Sequence, residues 1–188
     1  MRPVLGEDLQ AQDEGMTYPV AFTGSRDFLE AHPIKRAMER LVALHGDALF
    51  VHVGDARGAD AIVRRFCSSM GVSFEKHDAH WSELGKRAGH ERNGRVIAEA
   101  LELFAFFAPG PPSPGTADCV GQAIDRGIPI RIWFANSRTW KTVGSRCQNP
   151  DCILHRYKHG HDGHGTWVVQ ENGNPMYAPR SMSGEVEL

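Results

Sequence analysis

Tyr18-Pro19-Val20-Ala21-Phe22-Thr23-Gly24-Ser25-Arg26-Asp27 is the stretch on which the fold turns. A short run of β-favouring residues stops at a glycine and a polar loop follows. Pro33 then suits a first helical turn, and Ile34, Ala37, Met38, Leu41, Val42 and Leu44 recur at near-helical spacing. Gly46 ends that helix, and Ala48 to Val53 makes a second strand closed by Gly54. Strand, polar loop, amphipathic helix and strand again describe a right-handed βαβ unit.

The pattern continues outward. Ala59, Ile62, Val63, Phe66 and Met70 mark a second helix ended by Gly71, and a strand follows at Val72 to Lys76. A third helix is expected within Arg87 to Ala100, with Val96, Ile97 and Ala100 on its inner face. Leu101 to Ala108 is apolar without alternation, as in a strand buried on both faces. A Pro/Gly loop, a helix through Val120, Ala123 and Ile124 to Gly127, and a strand at Pro129 to Phe134 complete the series. The fold class expected is α/β: a Rossmann-like open parallel sheet with helices on both faces, over residues 18–135. Residues 1–17 are polar and acidic and are expected to form a flexible tail. Residues 136–188 form a Cys/His-rich extension too polar for a second full core, with short β-like pieces such as Thr166 to Gln170.

Composition narrows the classes. With 41% hydrophobic and 23% charged residues, the 188-residue chain lies in the ordinary globular range and can bury a sizeable core. A formal charge of −2 gives no global field for nucleic acid or anionic membranes, so any grip on phosphate must be local. The apolar runs are strand-sized, so no membrane span is expected. Four cysteines without an export signal suggest reduced thiols and a cytoplasmic protein.

Ligands of open α/β sheets sit beyond the carboxyl ends of the strands. Three loops there stand out: Thr23 to Asp27, Gly54 to Asp60, and Pro109 to Thr116. Each places glycines where the backbone must turn tightly or approach a ligand, and each leads to a helix N-terminus, which suits phosphate. Arg26 and Arg57 add fork-shaped donors, and Ser25 and Thr116 add hydroxyls. Gly24, Gly54, Gly110 and Gly115 complete this rim, although glycine-rich βα loops also serve simply as turns. None is a G-x-G-x-x-G or Walker loop, which argues against ordinary dinucleotide oxidoreductases and NTPases. Arg92 and Asn93, on the third long helix, are candidates to contact a base or phosphate, or else solvate the helix surface. His77, His80 and Trp81 follow a strand and can stack on a base or pack at a sheet edge. His45 and His52 read as structural, and Cys67 as a small core residue.

Val20 to Phe28, Gly54 to Asp60, the Ala88-Gly89-His90-Glu91-Arg92-Asn93 run and the Pro109 to Thr116 loop together resemble the YspA-like branch of the SLOG superfamily. That superfamily includes the lonely-guy phosphoribohydrolases and the DNA-processing protein A fold. The resemblance implies a Rossmann-like domain for a nucleotide or nucleotide-derived ligand, with phosphate at residues 110–116, and makes a homodimer plausible. The lonely-guy enzymes carry P-G-G-x-G-T-x-x-E, whose glutamate serves N-glycosidic cleavage. Counting from Gly115-Thr116 places Cys119 at that position, beside Asp118. If the chain is an enzyme, Asp55, Asp60 and Asp118 are its candidate catalytic carboxylates.

Ten histidines are unusual, and four of them lie between His155 and His164. Cys147, Cys152, His155, His159, His161 and His164 put six soft ligands within 18 residues, and four would hold a structural Zn2+. A His-rich tail with incidental cysteines is the alternative. Trp140, Lys141, Arg146, Arg156, Tyr157 and Lys158 beside this cluster leave open an association with single-stranded nucleic acid, though the slightly acidic chain favours a solvated surface. Three functions follow: binding of a nucleotide-derived ligand, N-glycosidic hydrolysis of a nucleoside monophosphate or related nucleotide, or association with single-stranded nucleic acid.

Overall fold

The computed structural model describes residues 17–143, 165–169 and 175–179. Its chain order is β1 (Tyr18–Gly24), α1 (Ala31–His45), β2 (Leu49–Gly54), α2 (Ala59–Met70), β3 (Ser73–His77), the single turn α3 (Trp81–Leu84), α4 (Ala88–Ile97), β4 (Glu102–Phe107), α5 (Pro114–Arg126), β5 (Ile130–Phe134) and β6 (Thr139–Val143). β7 (Gly165–Val169) and β8 (Pro175–Pro179) pair antiparallel as a separate two-stranded sheet.

The main sheet has the order β3-β2-β1-β4-β5-β6. β1 to β5 are parallel, and the register pairs Val20 with Val51 on one side and with Glu102 on the other. The chain builds outward from β1 in one direction and then returns to its other side at β4. The strand order therefore reverses between β1 and β4, which opens a crevice beyond their carboxyl ends.

Each face of the sheet has its own core. Val20, Phe22, Val51, Val53, Phe104 and Phe106 meet Ile34, Met38 and Leu41 of α1 and Ile62, Val63 and Cys67 of α2. Ala21, Leu103, Ala105, Phe107 and Ile132 meet Val96 and Ile97 of α4 and Val120, Ala123 and Ile124 of α5. β4 contributes to both, which explains its apolar run from Leu103 to Phe107. Phe22, Phe106, Ile34 and Met38 are essentially fully buried; side chains of this size contribute about 1.5–3 kcal/mol each.

Two features depart from the sequence reading. The main sheet continues past residue 135: β6 adds antiparallel to β5, pairing Trp133 with Trp140. Trp140 stands edge-on to Phe104 and Phe106, with ring centroids 6.0 and 5.6 Å away, so aromatic packing anchors an otherwise polar edge strand. Leu44, which follows the near-helical apolar spacing of the first helix, is 63% exposed. Among the described residues no helix is long and apolar enough to cross a membrane.

Candidate functional site

The loop after β1 is fastened before it can meet any ligand. Ser25 N–H donates to Phe106 O at 2.9 Å, and Ser25 O accepts from Phe28 N–H at 3.1 Å and from Ala59 N–H at 3.3 Å. The Ser25 hydroxyl accepts from Ala108 N–H at 3.2 Å. Ser25 thus joins the ends of β1 and β4 to the start of α2. Gly24 permits the same convergence, because a methyl group there would lie 2.4 Å from Ala59 Cβ and 2.8 Å from Phe106 O.

The loop after β2 closes on the first. Gly58 has φ +72, and a Cβ on it would fall 2.4 Å from the carbonyl oxygens of both Ser25 and Arg26. Arg64 of α2 donates to Gly54 O and, at 3.1 Å, to Ala56 O, which holds the loop from below. Arg57 reaches back to Asp27 at 2.7 Å, but both side chains are exposed and remain available to an incoming anion. Arg26 is exposed and makes no ion pair among the described residues.

Arg92 and Asn93 are not surface groups. They are 7% and 2% exposed on the inner side of α4, at the centre of a polar network. Arg92 donates to Asp55 Oδ1 at 2.5 Å and to Asn93 Oδ1 at 3.1 Å. Asn93 Nδ2 donates to Asp118 Oδ2 at 2.7 Å and to Gly115 O at 2.9 Å. Asp118 also faces His90 Nδ1 at 2.7 Å and accepts from Gln122 at 2.9 Å. Two adjacent residues of one helix therefore tie the loop after β2 to the first turn of α5. Gly54 makes room for the network: a Cβ there would lie 2.5 Å from Asp60 Oδ2 and 2.9 Å from the Arg92 guanidinium.

The three candidate carboxylates sit in different environments. Burial pushes the Asp55 carboxyl up, but hydrogen bonds from Ala79 N–H and Arg92 and the Arg92 charge outweigh it, so Asp55 stays below the usual carboxylate range. Burial pushes Asp60 up to about 7 despite the Arg92 and Arg64 charges and the Ala56 N–H. Asp60 is 3% exposed, and its Oδ1 has no hydrogen-bond partner. Asp118 is held by His90 and Asn93 of α4 and by Gln122 of its own helix, with its side chain still 32% exposed.

Cys119 is wholly buried, and burial pushes its thiol up to about 12. Its thiol bonds Thr23 and feels the Asp60, Asp118 and Arg92 charges, and a thiol held neutral by burial is a poor nucleophile. Cys67 is likewise buried in the α1/α2 core, as its spacing suggests. The α5 start offers a different chemistry. Ser113 caps the helix without a side-chain bond, Pro114 opens it, and no acidic residue occupies the first turn. Gly110 has φ +97 in the preceding loop, and Gly115 faces open space. Thr116 is 2% exposed with its hydroxyl unpartnered. An unblocked helix N-terminus of this kind favours an anion.

A shallow, open depression of about 980 Å³ lies on the flank of α2 and reaches Gly58 and Phe28, but it is not the crevice between β1 and β4. His80 and Trp81 lie at α3, half-exposed or nearly so. His45 stacks on Tyr18 with centroids 3.6 Å apart. His77 is buried against His52, their ring nitrogens 3.1 Å apart, a pairing across strands that sequence spacing could not reveal. Cys147, Cys152, His155, His159, His161 and His164, the expected zinc ligands, lie outside the described residues.

Residues 18–83, spanning β1 to α3 and the first two loops, match the family model described as the YspA, cpYpsA-related SLOG family. The chain is 33% identical over 116 residues to the Gene 61 protein of Mycobacterium phage D29, an alignment covering 59% of this chain and 92% of that protein. No solved structure matches the chain significantly. On the sequence match, the shared length and the fold, the chain belongs to the YspA, cpYpsA-related SLOG family.

Proposed function

We propose that the chain binds a nucleotide or nucleotide-derived phosphate ligand in the crevice between the β1 and β4 ends. The observation that carries this reading is the convergence of three loops and an unblocked α5 N-terminus at the point where strand order reverses. Backbone N–H groups at Gly115 and Thr116 and the Thr116 hydroxyl would take the phosphate. Arg26 and Arg57 would close over it, and Asp55 is the ionised carboxylate placed to accept a ribose hydroxyl. Arg92 and Asn93 would act mainly by holding these parts, because Arg92 Nη1 and Nη2 already meet Asp55 and Asn93, and Asn93 Nδ2 meets Asp118 and Gly115, which leaves the buried Arg92 Nε as the unpartnered donor.

Family membership supports a nucleotide-related ligand, and an ADP-ribose-like or cyclic nucleotide suits the crevice. Thermal shift against a nucleotide panel tests the reading. A saturable rise in Tm with one or more nucleotides supports it, and a flat response across the panel overturns it.

One observation favours a second reading, N-glycosidic hydrolysis. Asp55 is held below the usual carboxylate range while neighbouring Asp60 is pushed up to about 7, the kind of separation that acid–base catalysis uses. Asp55 would then stabilise a developing ribosyl cation. Chromatographic detection of free base, lost in Asp55→Asn, would favour the enzyme. Against it stands Cys119, which leaves no carboxylate at the position the related hydrolases use. A structural zinc at four of the six tail residues is a separate proposal that rests on their spacing.

A further inference from the structure

We infer that His52, Glu75 and His77 form a second site, for a divalent cation of the zinc class, on the outer edge of the sheet. The parallel ladder builds it: His52 pairs in register with Glu75, and His77 lies two residues further along β3 and projects from the same face. One ligand atom from each residue falls within 4.8 Å of the others. His52 Nδ1 lies 3.1 Å from His77 Nε2 and 3.6 Å from Glu75 Oε2, while the other carboxylate oxygen lies 3.8 Å from His77 Nδ1. Tetrahedral bonds of 2.0–2.1 Å place ligand atoms about 3.3 Å apart, so two of these separations need only small adjustment.

The chemistry of the set is selective. Two imidazoles and one carboxylate suit zinc, cobalt or nickel better than magnesium or calcium, which prefer oxygen. Both rings are buried, whereas the Glu75 side chain is 56% exposed. Three protein ligands with an open side towards solvent leave room for water or an exchangeable ligand. Arg95 and Arg92 of α4 both bring positive charge near His77, but Arg95 is engaged by Glu91 at 2.8 Å and by Asp78 O at 2.6 Å and Arg92 by Asp55, while Glu99 adds negative charge near His52. The site flanks the crevice, since Ala79, two residues beyond His77, donates to Asp55. It does not depend on the nucleotide reading.

The test uses the full chain without a polyhistidine tag, carrying Cys147→Ser and Cys152→Ser so that no tail thiolate contributes. Co2+ is titrated and its visible d–d absorption followed. The expected result is saturable binding without a thiolate charge-transfer band. Glu75→Gln, an exposed and fold-neutral change, should weaken it by at least the roughly tenfold that loss of an outer-shell partner costs. His77→Gln, with folding checked by circular dichroism, should abolish it. No saturable d–d signal, or one that Glu75→Gln leaves unchanged, overturns the proposal; the latter assigns the ion to the tail histidines.

Discussion

The Arg92 guanidinium donates to the Asp55 carboxylate across 2.5 Å and anchors the loop after β2 to α4. The next residue, Asn93, does the same for α5 through Asp118 and Gly115. The crevice is thus assembled on a buried polar brace, and the exposed arginines above it are free to meet a ligand. Arg92 is 7% exposed and faces both Asp55 and Asp60, so its removal leaves the part-buried Asp55 and the buried Asp60 uncompensated. Arg92→Ala should cost about 3–5 kcal/mol of stability in urea denaturation. A loss below about 1 kcal/mol would show that the brace is not structural.

Close approach of the two loops at Gly58 gives a second prediction. Gly58→Ala combines φ +72 with contacts of 2.4 Å to two carbonyl oxygens, and backbone atoms cannot step aside. It should cost roughly 2–5 kcal/mol. Gly110→Ala has a similarly unfavourable φ of +97 but open space around it, so only the backbone term of about 1–2 kcal/mol applies. Equal losses in Tm for the two variants would contradict the packing argument.

Asp60 makes the fold pH-sensitive. Its folded-state value, pushed up to about 7, lies above the ordinary aspartate value of 3.8. Between these values the folded chain holds the proton that the unfolded chain releases, so raising pH through this window removes stability, on the order of a few kcal/mol. Above about pH 7 this contribution levels off. Asp60→Asn should flatten the difference between pH 4 and 7 in denaturation midpoints, and an unchanged slope would show that Asp60 ionises normally.

Much of the fold was legible because its signals are local. The glycines at 24, 46, 54, 71 and 127 end elements where expected, and β4 announces burial on both faces by its composition. The polar brace was not legible, since Arg92 and Asn93 on a helix look like solvated residues until Asp55 and Asp118 arrive from distant segments. β6 was hidden for the same reason. Its Thr139-Trp140-Lys141 sequence follows a polar turn and becomes a strand only through pairing with β5 and through Trp140 on Phe104 and Phe106. The His52–His77 contact joins residues 25 positions apart and needed the β2–β3 register to appear.

The exposed arginines should separate binding from folding. Arg26 and Arg57 are solvent-facing, and among the described residues Arg57 pairs with exposed Asp27. Arg57→Ala should leave the unfolding midpoint unchanged while lowering nucleotide affinity about tenfold, the loss expected for one charge-assisted contact. Unaltered affinity in a nucleotide titration would remove Arg57 from the site.

The crevice between β1 and β4 is tested most directly by calorimetric titration of the full chain with ADP-ribose, adenosine monophosphate and a cyclic nucleotide, repeated with Thr116→Val and Arg26→Ala. The account predicts saturable binding of at least one of them, weakened at least about tenfold by each substitution with the fold intact. No heat with any of the three, or binding indifferent to both substitutions, would contradict it.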